Sequence, residues 1–313
     1  MPSNQRSAVT SARIACPAMA FVGTAAAGGA LLSYALIEAH QFRLRTCDVA
    51  CLAPGSQPLR LLHLSDMHLV PRQQDKRDWI AELGELRPNF VVVTGDFLAD
   101  RAAVPAVLSC LAPLLDLAGA FVLGSNDYYA PRLKNPLRYL AGPSNLAKGP
   151  PTLPYRDLVA GLTAAGWHDL SNAAARETVR GVRIDMRGVD DPHLGLDDYA
   201  TVGGPYSPEA GLRLGVAHAP YRRVIEAMAR DGADLILAGH THGGQVCLPG
   251  FGALVTNCDL ERNRAKGLSR QGGSWLHVSA GIGTSPFAPI RFACRPEATL
   301  LTLQARPGTA STG

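Results

Sequence analysis

The ten residues LRLLHLSDMH, positions 59–68, decide the fold. An apolar run, Leu59–Leu64, gives way to the polar turn Ser65-Asp66-Met67-His68. A short continuous apolar run bounded by a turn predicts a strand buried on both faces, the kind found in parallel sheets covered by helices. The charged, amphipathic stretch Gln74–Leu86 that follows predicts a helix. The same order then recurs. Phe90–Val93 predicts a strand ending in Thr94-Gly95-Asp96, Ala103–Leu117 a helix, and Ala120–Leu123 a strand ending in Gly124-Ser125-Asn126-Asp127. Strands are expected again over Val182–Arg187 and over Leu212–Ala217, the latter ending at His218. A helix over Tyr221–Arg230 leads to Leu235–Ala238, which runs into Gly239-His240-Thr241-His242-Gly243-Gly244-Gln245. Trp275–Ser279 and Thr299–Leu303 read as closing strands. The whole pattern is α/β.

Polar residues fall in a telling place. Asp66, His68, Asp96, Asn126, His218, His240 and His242 each lie just beyond an expected strand. In open α/β sheets the carboxyl ends of the strands form the ligand crevice, so separated loops can converge there. Taken singly each has an ordinary explanation: an Asp after a strand caps a helix or makes a turn, and a lone His is usually just hydrogen-bonded. Together they form a chemically coherent set. Imidazoles mixed with carboxylates suit Zn, Mn or Fe, whereas all-oxygen sites suit Mg or Ca. The set exceeds what one tetrahedral ion needs, and two ions about 3.5–4 Å apart with one bridging carboxylate would use it. Residues two apart in an extended segment point the same way, so Asp66/His68 and His240/His242 could each serve one ion.

In order and spacing, Asp66-Met67-His68, Gly95-Asp96, Gly124-Ser125-Asn126-Asp127, His218 and Gly239-His240-Thr241-His242 resemble the signature of the calcineurin-like metallophosphoesterase superfamily. The resemblance runs from about Leu59 to about Leu303. The N-terminal apolar segment, Ser65-Asp66-Met67-His68, Gly239–Gln245 and the tail Gly281-Ile282-Gly283-Thr284-Ser285…Pro289-Ile290-Arg291 look like the bacterial membrane-associated branch, which is similar to UDP-2,3-diacylglucosamine pyrophosphatase-like phosphohydrolases. It implies a four-layer α-β-β-α sandwich and two divalent metal ions (Mn, Fe or Zn). One would be held by Asp66, His68 and His242, the other by Asn126, His218 and His240, with Asp96 bridging. Gly243 and Gly244 would let the last loop turn tightly beneath the ions. The implied reaction is hydrolysis of a phosphodiester or pyrophosphate bond by metal-bound hydroxide, with Asp96, Asn126, Asp127 and His218 as catalytic residues.

The third motif departs from the family. Where Gly-Asn-His-Asp is usual, this chain reads Gly124-Ser125-Asn126-Asp127. Aligned without a gap, Ser125 replaces the metal ligand and Asn126 the acid. Shifted by one, Asn126 remains a ligand and Asp127 takes the acid position. The shift is preferred, because an amide oxygen is a better neutral ligand than an unactivated hydroxyl. In either case the His is absent, so a poor leaving group would be protonated less effectively and good leaving groups are favoured.

The N-terminal part carries an address rather than chemistry. Between Arg13 and Glu38 no residue is charged, a length that suits a membrane span. A signal anchor, a cleaved signal peptide and a buried helix all fit; length and flanks favour a single-span anchor, with the side of the membrane undetermined. Residues 1–45 are thus expected to form an anchor segment and 46–313 the metallophosphoesterase domain. A tether points to a lipid-linked or amphiphilic phosphoester at the cell membrane. The alternatives are a soluble-type nucleotide phosphodiesterase that is merely tethered, and a metal-binding domain with little turnover. The Pro- and Gly-rich stretch Pro131–Pro154 reads as an insertion or lid, in which Arg132 and Lys134 read as solvated. Asp190-Asp191-Pro192-His193 is a polar turn that could line the substrate cleft, with an ordinary Asp/Pro turn the favoured reading, and His63 reads as a core residue.

Composition closes off other classes. Hydrophobic residues at 47% exclude a disordered chain, and a net charge of +4 without a Lys/Arg block gives no nucleic-acid surface. Seven cysteines without CxxC spacing suggest neither a disulfide framework nor a zinc ribbon; they read as small core residues.

Overall fold

The computed structural model describes residues 17–131 and 149–307, with side chains from residue 28 onward. Its centre is a pair of six-stranded mixed sheets. In the first sheet, β1 (Arg43–Leu52), β2 (Leu59–Leu64), β3 (Phe90–Thr94), β4 (Gly119–Val122), β5 (His168–Asp169) and β14 (Glu297–Ala305) lie in the order β1-β14-β2-β3-β4-β5. In the second, β6 (Ala174–Val179), β7 (Val182–Gly188), β8 (Leu212–Val216), β9 (Leu235–Ala238), β12 (Gly267–Gln271) and β13 (Ser274–Val278) lie in the order β12-β13-β9-β8-β7-β6. Strands β2 to β5 run parallel, as do β7, β8, β9 and β13. β14 enters antiparallel to β2, and the second sheet ends in the antiparallel neighbours β6 and β12.

Side chains alternate between the two faces of each strand, and both faces are apolar. Leu59, Leu61, Phe90, Val92, Ala120 and Val122 meet Ile184, Leu214, Leu235 and Leu237 of the other sheet. From the opposite face of the first sheet, Leu62, Leu64, Val91, Val93 and Phe121 pack on α2 (Gln74–Glu82), α3 (Val104–Leu115) and α5 (Tyr155–Ala164). Ile236, Leu276 and Val278 pack on Val224, Ile225 and Met228 of α6 (Arg222–Arg230). The layers are therefore helices, sheet, sheet, helix, as the family resemblance implied. A continuous apolar run in β3 is explained by this double burial.

At the N-terminus, α1 spans Pro17–Glu38, an Ala-rich helix that opens on Pro, a residue suited to a first helical turn. Its last turn docks on the main body. Ala35 O accepts from Arg291 N at 2.9 Å, the Glu38 carboxylate accepts from Ala293 N and Cys294 N at 2.9 Å each, and Tyr34 meets Phe292 edge-on. The expectation of a membrane span is not met within these bounds: among the described residues no helix is long and apolar enough to cross a membrane. β1 begins at Arg43, so the chain enters the sheet within the segment read as an anchor; Arg43 and Arg45 pair with the buried Glu297 at the start of β14. Of the stretch expected to act as a lid, residues 132–148, with Arg132 and Lys134, lie outside the described residues.

Candidate metal centre

The carboxyl ends of β2, β3 and β4 from one sheet face those of β8 and β9 from the other, and the loops that leave them converge. Their backbone is unusual. Five of the seven expected ligands, Asp66, His68, Asp96, His240 and His242, have φ between 43° and 66°. A left-handed conformation costs a non-glycine residue on the order of 1 kcal/mol or more and persists only where neighbours enforce it. Here Asp66 N and His68 N donate to Gly95 O and Asp96 O, Gly283 N donates to Asp66 O, and His240 N donates to the Asp66 carboxylate at 3.0 Å. The D-x-H and H-x-H pairs are therefore not extended, contrary to the sequence-based argument; tight turns with alternating conformation bring each pair round. Gly243 and Gly244 continue the turn at φ 60° and 86°, in keeping with their expected role.

Asp66, His68, Asp96 and His242 each present a ligand atom such that all four lie within 4.8 Å of one another. His68 Nε2 is 3.1 Å from His242 Nε2 and 3.4 Å from Asp96 Oδ2, and His242 Nε2 is 3.6 Å from Asp66 Oδ1. On the other side, His218 Nε2 is 3.5 Å from Asp96 Oδ1 and 3.3 Å from His240 Nδ1. Asp96 thus touches both halves, one oxygen to each.

Outer partners set the orientation of the rings. His218 Nδ1 faces the Thr94 carbonyl at 2.7 Å, and His240 Nε2 faces that of Asn257 at 3.2 Å. A carbonyl there accepts a hydrogen bond from the ring N–H and leaves the inward nitrogen to offer its lone pair to a metal, the arrangement of metal-binding imidazoles. Burial pulls His68 down to about 4 and His240 and His242 well below the ordinary histidine range, so all three are neutral. His218 goes the other way: burial would lower it, but Asp96, Asp191 and Asp66 outweigh that and raise it to about 9. Burial would raise Asp96, yet His218, His68 and the Asn126 donors hold it below the usual carboxylate range. Burial lifts Asp66 to about 6.

The donor set fits divalent ions. Asp66, Asp96, Asp127 and Asp191 are all buried, and among the described residues no Lys or Arg forms an ion pair with any of them. Buried carboxylates without a cation are costly, and the neutral imidazoles of His68, His240 and His242 offer lone pairs rather than charge. A metal answers both, and the mixture of nitrogen and oxygen suits Zn, Mn or Fe.

The third motif is built differently from its expectation. Asn126 donates to both oxygens of Asp96, from its backbone N at 2.7 Å to Oδ1 and from Nδ2 at 2.8 Å to Oδ2. Asp127 is fully buried in the short helix α4 (Ser125–Tyr128) and accepts from the backbone N–H groups of Gly124, Asp96, Phe97 and Leu98 at 2.8–3.1 Å. The acid position assigned to it does not fit this arrangement: a carboxyl enclosed by four backbone donors organises two loops and has no face for a leaving group. Ser125 donates to Asp191, a partner the sequence reading left as a plain turn.

Other residues near the site were also not singled out. The His193 ring lies 4.5 Å from that of His240, with Nδ1 3.0 Å from Tyr221 Oη. Lys76, buried on α2, donates to Met67 O between the first two ligands at 3.0 Å, and burial lowers it to about 7. Arg291 is fully buried behind His242 and donates to the carbonyls of Ala280, Gly281 and Gly283. Its position in the recognisable tail was the available signal. His63 is the core residue expected, paired with His277 at 2.9 Å between the sheets.

The comparisons agree with the geometry. Residues 59–244 match the calcineurin-like phosphoesterase family. The chain is 30% identical over 256 residues to the metallophosphoesterase YkoQ of Bacillus subtilis (strain 168), covering 79% of this chain and 84% of that one. It is 28% identical over 273 residues to the phosphodiesterase YaeI of Escherichia coli (strain K12), covering 85% and 90%. It is also 28% identical over 270 residues to a Bos taurus transmembrane protein with metallophosphoesterase domain, covering 82% of this chain and 55% of that protein. With the ligand cluster at the strand ends, these matches place the chain in the calcineurin-like phosphoesterase family, as a metal-dependent phosphoester hydrolase.

Proposed function

We propose that the protein is a two-metal phosphohydrolase that cleaves a phosphodiester or pyrophosphate bond, in a lipid-linked or nucleotide-sugar substrate, at a membrane surface. The observation that carries the two-ion reading is Asp96, whose two oxygens face His68 on one side and His218 on the other. Asp66, His68, His242 and Asp96 would hold one ion; His218, His240 and Asp96 would contribute to the other. When bound, such a pair polarises the phosphoryl group and activates water at neutral pH.

The chain's own groups prepare that chemistry. The Thr94 and Asn257 carbonyls hold the imidazoles of His218 and His240 in one tautomer. The Asn126 donors fix the plane of the Asp96 carboxylate. Ser65 Oγ donates to Asp66 Oδ2 at 2.5 Å and fixes the other carboxylate.

Leaving groups that need no proton suit this site, since the position where the family carries His holds the Asn126 amide and Asp127 is enclosed. Activated diesters and pyrophosphates meet that requirement. Turnover of a series of aryl phosphate diesters tests it. A steep dependence of rate on leaving-group pKa is expected; a shallow one would mean that a general acid is acting.

Exposed apolar side chains support the membrane part of the reading. Leu31, Leu32, Leu36 and Ile37 on α1 face solvent, as do Leu248 and Phe251 on the hairpin of β10 (Cys247–Leu248) and β11 (Gly252–Ala253), and Phe287. The three segments are joined: Cys247 N donates to Phe292 O, the Gln245 side chain donates to Ala288 O and Ile290 O, and Arg291 N donates to Ala35 O. An apolar rim that begins at Leu248, four residues after Gly244, brings the site close to whatever the rim touches. Detergent- or vesicle-dependent hydrolysis of a glycolipid pyrophosphate, against a water-soluble nucleotide diester, separates the lipid-linked substrate from a merely tethered enzyme.

A further inference from the structure

The two halves of the metal centre are unequally furnished. Asp66, His68 and His242 join Asp96 in the first half, which gives four protein ligands. His218 and His240 join Asp96 in the second, which gives three. Asn126, expected there, turns its amide N–H to Asp96.

Asp191 is tied to that second half through Ser125, the neighbour of Asn126, and through His193, whose ring lies against His240. Its side chain is fully buried, so its charge has no water to screen it. Its polar contacts are the Ser125 hydroxyl, which donates to Oδ2, and the His193 backbone N–H, which donates to Oδ1 at 2.9 Å. Neither carries a charge. Ser125 is the neighbour of Asn126, whose backbone N–H is bonded to Asp96. Two residues beyond Asp191, the His193 ring lies tilted against that of His240, with centroids 4.5 Å apart. The turn is therefore folded onto the second half from two directions, through α4 and through His240. Among the described residues no Lys or Arg pairs with Asp191, and its charged neighbour is His218, itself an expected ligand of the second ion; a buried carboxylate so placed is completed best by a cation.

We propose that Asp191 is the fourth protein ligand of the second metal ion, held in place by Ser125 and standing where the third motif would otherwise supply an amide. This rests on the two-ion reading above. An anionic ligand in place of a neutral amide adds one negative charge to the site, which favours tighter retention of a divalent ion. His193 then acts as a positioning residue, its backbone N–H on one Asp191 oxygen and its ring against His240.

The test is metal binding by the full chain, measured apart from turnover. Protein stripped with a chelator is dialysed against Mn2+ and its content measured by elemental analysis, with the metal-induced rise in Tm read in parallel. Wild type should bind two ions. Asp191→Ala should bind one tightly and the second about 100-fold more weakly, with a correspondingly smaller rise in Tm. Should the Ala variant fail to fold, Asp191→Leu, which keeps the volume and offers no ligand atom, carries the same expectation. Two ions bound by the variant with wild-type affinity would overturn the assignment. Wild type binding a single ion would instead overturn the two-ion reading on which it stands.

Discussion

Asn126 grips Asp96 by both carboxylate oxygens at once, with its backbone N–H on Oδ1 and its side-chain amide on Oδ2. A carboxylate fixed in this way can face two metal positions without turning toward either. Asn126→Ala removes the side-chain donor and leaves the backbone one. Two ions should still bind, and kcat should fall about 10- to 100-fold, the usual cost of losing an outer partner of a ligand. Steady-state kinetics together with metal content checks this. A variant that loses one ion would mark Asn126 as a ligand.

Asp127 is the buried counterpart of that grip. Its carboxylate satisfies four backbone N–H groups from two loops, and burial raises it to about 8 despite them. Asp127→Asn would turn an NH2 toward donors and leave N–H groups unpaired. A loss of about 3 kcal/mol in stability is expected by denaturant or thermal unfolding. The slope of rate against leaving-group pKa should be unchanged in whatever fraction stays folded. A steeper slope would restore an acid role to Asp127.

Acid should destabilise the sheet interface in a defined window. His277 is held down to about 4 by burial first and the Arg45 charge second, and His63 is held well below its ordinary value by burial and by His277. Both are neutral in the folded state, whereas an unfolded histidine takes up a proton near pH 6.5. The stability they support is fully present above that pH and is lost as pH falls toward 4. For His277 alone the loss is about 3 kcal/mol. Unfolding free energies of wild type and His277→Gln between pH 7 and 4 should diverge at the neutral end and converge at the acid end. Parallel curves would contradict this.

The apolar rim predicts binding without chemistry. Replacing Leu248, Phe251 and Phe287 together by Ser should lower partitioning onto phospholipid vesicles at least tenfold, since each large side chain buried contributes about 1.5–3 kcal/mol. Turnover of a water-soluble diester should not change. Equal partitioning of the two proteins in cosedimentation would remove the rim from the account.

Much of this was legible from residues 59–68 onward. Double burial makes β2 and β3 read as unbroken apolar runs, and the residues that follow such strands in an α/β fold gather at one edge. That is why Asp66, Asp96, His218 and His240 could be placed together. Three things could not be read. β1 is an edge strand with alternating exposure, and its charged start, Arg43 and Arg45, looks like the flank of an apolar segment until Glu297 is brought to it. The left-handed turns at Asp66 and His68 depend on carbonyls from the next loop, a tertiary effect with no local signal. Asp191 and Ser125 are 66 residues apart, and each looks like ordinary turn chemistry until the two sheets pack.

Asp96 joins both halves of the centre, and a single substitution examines that role. Turnover of bis-p-nitrophenyl phosphate by Mn-loaded wild type should be readily measured, and Asp96→Asn should lower it by at least ~10³-fold, because one change weakens both halves of the centre. A variant that keeps turnover within tenfold of wild type would contradict a shared carboxylate at the heart of the site.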